Sequence, residues 1–143
     1  MRRYKLQQHI ALEIARKAHK GQVDKAGVDY IQHPIAVANM LLADEEKAVA
    51  YLHDTLEDTE YTAQDLLDAG INDDVVTAVV IITKKQGQEY FEYLSAVKSN
   101  VLARAVKIAD LTHNMNLSRL QIVTEADILR VEKYRKALAF LQQ

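Results

Sequence analysis

Apolar residues along this chain recur at helical rather than strand spacing. Ile10, Ile14 and Ala18, with Ala11 and Ala15 beside them, predict a first helix from Tyr4 to Lys20, closed by Gly21. Residues 22–32 lose that period and Gly27 marks a turn among them, so a loop is expected there. Proline is favoured in the first turn of a helix, so a second helix is expected to open at Pro34, leave His33 just outside it, and run through Val37, Met40 and Leu41. Asp44 is the expected N-cap of a third helix, which carries the apolar run Ala48-Val49-Ala50-Tyr51-Leu52 and ends near Glu57.

Further on, Thr62-Ala63-Gln64-Asp65 has the form of a capping box leading into a short helix closed by Gly70. The segment from Val75 to Ile82 reads two ways. Its β-branched residues favour a buried strand, but no second segment offers a pairing edge, so a helix is expected. Gln88 to Lys98 forms another, with Tyr90, Phe91, Leu94 and Val97 as apolar positions, and Asn100 is placed to cap a long helix from Val101 to about Asn116. A second capping box, Thr124-Glu125-Ala126-Asp127, opens a last amphipathic helix through Ile128, Val131, Leu138 and Leu141. Four glycines and one proline supply few hairpin turns, and no repeat or linker interrupts the pattern. The expected architecture is an all-α helical bundle, one domain over residues 1–143.

Composition narrows the function classes. At 143 residues with 49% apolar content and a net charge of −2, nothing points to disorder or to a general nucleic-acid surface, so the expected partner is a small molecule. The absence of cysteine excludes disulfides and thiolate metal sites and fits a reducing compartment. The basic start Met1-Arg2-Arg3-Tyr4 leads into polar residues rather than a signal core, and no run reaches the length of a membrane span, so a cytoplasmic protein with no membrane partner is expected. The apolar face of the last helix serves either to close the bundle or to pair with a second copy, which leaves a homo-oligomer open.

The chemistry begins at His53-Asp54-Thr55-Leu56-Glu57-Asp58-Thr59, which follows directly on that apolar run. His53 and Glu57 stand at i and i+4, as do Asp54 and Asp58, so on a helix the four side chains share one patch. Three carboxylates in one buried patch repel each other unless a cation sits among them. Two other stretches offer ligands: His33 before Pro34, and Asp110 in the middle of the apolar run Val106 to Met115, where a lone aspartate is costly unless paired or bound to metal. His33, His53, Asp54 and Asp110 make a two-nitrogen, two-oxygen set suited to manganese, iron, cobalt or zinc, and such a set leaves positions open on a six-coordinate ion. Glu57 and Asp58 are not needed to complete it, which makes them candidates for orienting or deprotonating water. Tyr90, Phe91 and Tyr93 read as core or interface, Lys84 and Lys107 as charges near the cleft, and His9, His19 and His113 as structural or near-site.

Five motifs in order, Ala18-His19-Lys20-Gly21-Gln22, Tyr30 to Ala38, Leu52 to Thr59, Ile82-Thr83-Lys84 and Val106 to Met115, resemble the hydrolase domain of the RelA/SpoT family, an HD-domain metal phosphohydrolase, in the free-standing form called the small alarmone hydrolase. The resemblance runs from about Ala15 to Met115. It implies an HD-domain bundle with the metal site between its central helices. It also implies manganese as cofactor and removal of the 3′-pyrophosphate from ppGpp or pppGpp, giving GDP or GTP and pyrophosphate. By the same resemblance, Glu57 and Asp58 are the catalytic pair, while Asn114 and Lys25 contact the nucleotide, the lysine on the guanine side.

The chain departs from the family pattern near that lysine. Longer members carry an arginine where Asp24 stands, Val28-Asp29 replaces a common Glu-Pro, and Leu111-Thr112 replaces Arg-Leu. These changes remove positive charge near the expected polyphosphate and leave the metal and Glu-Asp residues untouched. An HD phosphohydrolase for another nucleotide, such as a dNMP or NADPH, and an inactive nucleotide-binding module therefore stand as alternatives.

Overall fold

The structure is a computed structural model that describes residues 6–118 and 120–143. Its helices are α1 (Gln7–Ala18), α2 (Gln32–Asn39), α3 (Asp44–Leu52), α4 (Thr55–Asp58), α5 (Ala63–Asp68), α6 (Asp73–Ile82), α7 (Tyr90–Ser99), α8 (Val101–Asn114) and α9 (Glu125–Gln142). Among the described residues the sole β pairing is an isolated antiparallel bridge between Val23 and Asp29, in the loop before α2. The expected all-α bundle is what forms.

Helix α3 is the hub. Ala48, Val49, Ala50, Tyr51 and Leu52 are all buried, so it is enclosed on every side, and it packs against α1, α2, α6 and α8. A segment apolar all round, as residues 48–52 are, belongs at the centre of a bundle, and the alanines let neighbouring backbones approach closely. Helix α8 is its partner, packing in turn on α2, α6, α7 and α9. The residues that follow α3 and those on the buried face of α8 are thus held by the densest part of the core.

The β-branched segment is helical, as α6. Val75, Val76, Ala78, Val79 and Ile82 are buried at helical spacing, and the Asn72 side chain accepts the Val75 N–H at 2.9 Å to start the helix. At its far end the Tyr93 hydroxyl donates to the Ile82 carbonyl at 2.5 Å. Packing on two sides outweighs the modest preference of valine and isoleucine for strand. Both capping boxes form as expected, Thr62 with Asp65 and Thr124 with Asp127, and Asn100 caps α8.

Five expectations need correction. Helix α1 ends at Ala18 rather than Lys20, with Gly21 beyond it at φ +86°, while its expected start at Tyr4 lies outside the described residues. Helix α2 starts at Gln32, so His33 lies inside it and Pro34 is its third residue. That position is still in the first turn, where the missing N–H has no partner to lose. Asp44 does not cap α3: Ala43 holds the cap position, and the Asp44 carboxylate instead accepts the backbone N–H groups of Gln7 and Gln8, both at 2.9 Å, capping α1 from across the bundle. The third helix does not run on to Glu57, because it stops at Leu52 and a new short helix opens at Thr55. On the last helix, Ala137 and Leu141 are buried as core, whereas Ile128 is 54% exposed, and Arg130 and Tyr134 line a cleft.

Candidate metal centre and adjoining cleft

The break between α3 and α4 shapes the centre. Successive side chains on a regular helix diverge by about 100°. Here the His53 N–H reaches the Ala50 carbonyl only at 3.5 Å, Asp54 turns aside at φ −106°, ψ −1°, and His53 Nε2 comes to lie 3.1 Å from Asp54 Oδ2. The Asp58 N–H still bonds to the Asp54 carbonyl at 3.0 Å, so the spacing inferred for that pair survives within α4. His33 arrives from α2 and Asp110 from α8.

The ligand atoms of His33, His53 and Asp54 lie within 4.8 Å of one another. Asp110 Oδ1 is 2.9 Å from His33 Nε2 and 3.2 Å from His53 Nε2. His33, His53 and Asp110 are buried and Asp54 is nearly so. All four residues inferred as ligands therefore converge from three elements. The donor set passes a test of fit. His53 donates from Nδ1 to the Ala50 carbonyl at 2.6 Å, which leaves Nε2 as the nitrogen open to a ligand role, and that buried atom has no hydrogen-bond partner although carboxylate oxygens surround it. An unsatisfied buried nitrogen among anionic oxygens is what a divalent cation would resolve.

Second contacts hold these groups. The Tyr30 hydroxyl donates to Asp54 Oδ2. Lys107 Nζ donates to Asp110 Oδ2 at 3.1 Å, Asn114 Nδ2 donates to Asp110 Oδ1 at 3.0 Å, and His113 Nδ1 lies 2.7 Å from His33 Nδ1. Electrostatics follow. Burial opposes charge on His53, but Asp54 and Asp110 overcome it and hold its pKa well above the usual histidine value. Burial would raise the carboxyls, yet His53 brings Asp54 down to about 2, and His53 with Lys107 holds Asp110 well below the ordinary range. Lys107, disfavoured by burial, is kept charged by Asp110. At the mouth, Glu57 and Asp58 are exposed and shifted the other way: partial burial raises both, the charge of Asp58 adds to the effect on Glu57, and Asp54 pushes both further. The two acids that touch histidine are thus ionised, and the two beside them are better proton acceptors than ordinary carboxylates.

A cleft of about 280 Å³ adjoins the centre, lined among others by Asp24, Lys25, Asn114, Arg130 and Tyr134. Lys25 and Asn114, inferred to contact the nucleotide, both line it, and Asn114 touches Asp110 as well. Asp24 shapes the loop at its edge, where its Oδ1 accepts the N–H groups of Ala26 at 2.8 Å and Val28 at 3.0 Å and ties a turn at Gly27 with φ +79°. An arginine could not accept those bonds. Gln22 joins this loop to the centre, accepting from His19 Nδ1 at 2.8 Å and donating to the Asp58 carbonyl at 3.1 Å.

Arg130 and Tyr134 do not stand out in the sequence. They lie one helical turn apart on α9, and Asp127 holds the first of them, accepting from Arg130 Nη1 at 2.8 Å with Lys25 Nζ 3.9 Å away. The i, i+3, i+7 spacing of Asp127, Arg130 and Tyr134 is the signal that could have found them. The contacts of Tyr30 and His113 are likewise not foreseen from the sequence, although both residues lie in the family motifs.

No protein-family model matches the chain. A guanosine-3′,5′-bis(diphosphate) 3′-pyrophosphohydrolase of Haemophilus influenzae is 35% identical over 116 residues, 71% of this chain and 17% of that protein. A GTP pyrophosphokinase of Streptomyces coelicolor is 40% identical over 124 residues, 76% of this chain and 14% of that one. The bifunctional (p)ppGpp synthase/hydrolase SpoT of Escherichia coli is 34% identical over 116 residues, 71% of this chain and 16% of SpoT. The chain thus spans between 14% and 17% of the length of these curated relatives. A solved structure of a metazoan ortholog of SpoT that hydrolyzes ppGpp superposes with a TM-score of 0.77 at 20% identity, covering 99% of this chain and 88% of that one. The motifs, the convergence of their residues and these likenesses agree, and the chain belongs to the RelA/SpoT-type family of HD-domain hydrolases.

Proposed function

We propose that this chain hydrolyses the 3′-pyrophosphate of ppGpp and pppGpp, releasing GDP or GTP and pyrophosphate, with manganese or a similar divalent ion held by His33, His53, Asp54 and Asp110. The observation that carries the reading is the unsatisfied His53 Nε2, enclosed by Asp54 and Asp110 beside a polar cleft. A divalent ion in this setting supplies positive charge for phosphate oxygens and makes water more acidic.

The protein's own groups do the rest. Tyr30 and Lys107 fix the two carboxylates by hydrogen bonds. Glu57 and Asp58, with raised pKa values, receive the proton of the attacking water. Its oxygen forms a bond to the phosphorus attached to the ribose 3′-oxygen, the bond between that phosphorus and the 3′-oxygen breaks, and the 3′-oxygen takes up a proton. Lys25 and Arg130 bring positive charge to the cleft, and Asn114 and Tyr134 offer hydrogen-bonding groups there.

A second reading, hydrolysis of another nucleotide, is favoured by one observation: the loop position that carries arginine in longer members is an aspartate committed to backbone bonds. Pure protein with manganese, incubated with ppGpp, pppGpp, dNMPs and NADPH, separates the two. Release of pyrophosphate from ppGpp and pppGpp is expected. Turnover of another member with ppGpp ignored would replace the first reading with the second, and full metal content with no cleavage at all would leave a nucleotide-binding module.

A further inference from the structure

We propose that His113 is a positioning residue for the metal centre: its Nδ1 accepts the Nδ1–H of His33 and thereby keeps His33 Nε2 free to ligate. The proposal rests on the reading of His33 as a ligand, and its test is arranged to separate the two.

Two ring nitrogens 2.7 Å apart cannot face each other with lone pairs alone, so one proton lies between His33 Nδ1 and His113 Nδ1. Which ring owns it decides what His33 can do on its other side. If His113 donates, a neutral His33 carries its proton on Nε2, directed at Asp110 Oδ1 2.9 Å away, and that nitrogen has no lone pair for a cation. If His33 donates, Nε2 is bare and points at the oxygen with which it would share an ion. A ligating histidine usually fixes this choice by donating to a group that can only accept. His53 does so, to the Ala50 carbonyl. His33 instead meets a ring that can play either part, so the ligating form of His33 requires His113 to carry its own proton on Nε2.

The placement is built into the bundle. His113 follows Asp110 by three residues on α8, one turn along the same face, so the helix that supplies a carboxylate on one side of His33 also supplies the acceptor on the other. The two rings lie with centroids 4.8 Å apart at 34°, and His33 is buried, so water has little access to substitute for the acceptor. Helix α8 thus grips His33 from both sides.

The test uses two replacements that differ in where they put an acceptor. In His113→Asn the side-chain oxygen reaches the former Nδ1 position, and in His113→Leu nothing accepts. Manganese affinity, measured by electron paramagnetic resonance without nucleotide, is expected to be near wild type for His113→Asn and weaker by about 10–100-fold for His113→Leu. Should the leucine variant not fold, His113→Gln, whose amide reaches only the Nε2 position, is expected to show the same loss. In wild-type protein loaded with diamagnetic zinc, nitrogen NMR of the His33 ring is expected to show the proton on Nδ1. Folded His113→Leu or His113→Gln with wild-type manganese affinity, or a His33 ring protonated on Nε2 in the loaded protein, would overturn the role of His113 while leaving the metal site standing. Wild-type protein that takes up no divalent ion would instead overturn the site, and the proposal with it.

Discussion

The candidate metal centre and the cleft beside it are built in opposite ways. The centre hangs from α2, α8 and the end of α3, is buried, and has nearly every polar atom tied to another. The cleft is edged by the loop of residues 22–31, the end of α8 and the first half of α9, where Lys25 is exposed and Arg130 is held by a single carboxylate. Groups that must meet to within a few tenths of an ångström are placed on elements that cannot move without breaking the core. The residues that line the cleft, proposed to choose among substrates, sit on segments whose sequence can change without that cost. The departures at Asp24, Val28 and Asp29 lie on the second side of this division, whereas that at Leu111-Thr112 lies on α8, directly after Asp110.

The largest effect is expected at the centre. His53→Ala should abolish both hydrolysis and uptake of manganese in equilibrium dialysis, because the unsatisfied ring nitrogen is removed. Stoichiometric uptake by this variant would mean that the ion is held without His53, and absence of uptake by wild type would mean that the cluster is only a buried ion-pair network. Next come Glu57→Gln and Asp58→Asn, which should lower kcat by about 10²–10⁴-fold while leaving manganese affinity unchanged, as fits groups that handle protons without holding the ion. Steady-state kinetics paired with metal titration checks this, and a parallel fall in affinity would move both residues into the ligand set.

On the cleft side, Arg130→Gln and Lys25→Ala should raise KM by about 10–100-fold, the equivalent of one charge-assisted hydrogen bond, with kcat largely kept. An unchanged KM would place the substrate elsewhere and erase the division between the two regions. The smallest effect concerns what holds the cleft together. Asp127 accepts from Thr124 and Arg130, and these bonds hold its carboxyl at about 2 against an ordinary 3.8. Since the folded value is the lower one, its stabilisation is complete above about pH 4 and is lost as the pH falls through about 2. Wild type is expected to be more stable than Asp127→Asn at neutral pH, with urea midpoints converging as the pH drops from about 4 towards 2. A gap that stays constant across that range would show that the carboxylate charge is not what secures α9 to the loop.

Legibility follows the same division. Asp110 and His53 stand out because each interrupts or closes an apolar run, where an unexplained polar group is costly, and the structure brings both to one place. Helix α6 is readable through the lack of any partner strand. Asp44 misleads because its type suits a local cap, and nothing near it in the chain reveals that α1 starts within reach of its carboxylate. The continuous helix expected through His53 fails for a related reason: local spacing admits it, but convergence on a shared centre needs a turn at Asp54.

From residue order alone come the helical bundle, the candidate ligand residues and the acidic pair beside them, since periodicity and the cost of burying charge are properties a chain carries locally. The arrangement of α9 over the loop, which joins Arg130 and Tyr134 to Lys25, and the facing of His113 on His33 are settled only by tertiary packing. Contacts between residues some 80 or 100 positions apart depend on how whole helices dock, and docking is a sum over the core that no short stretch of sequence contains.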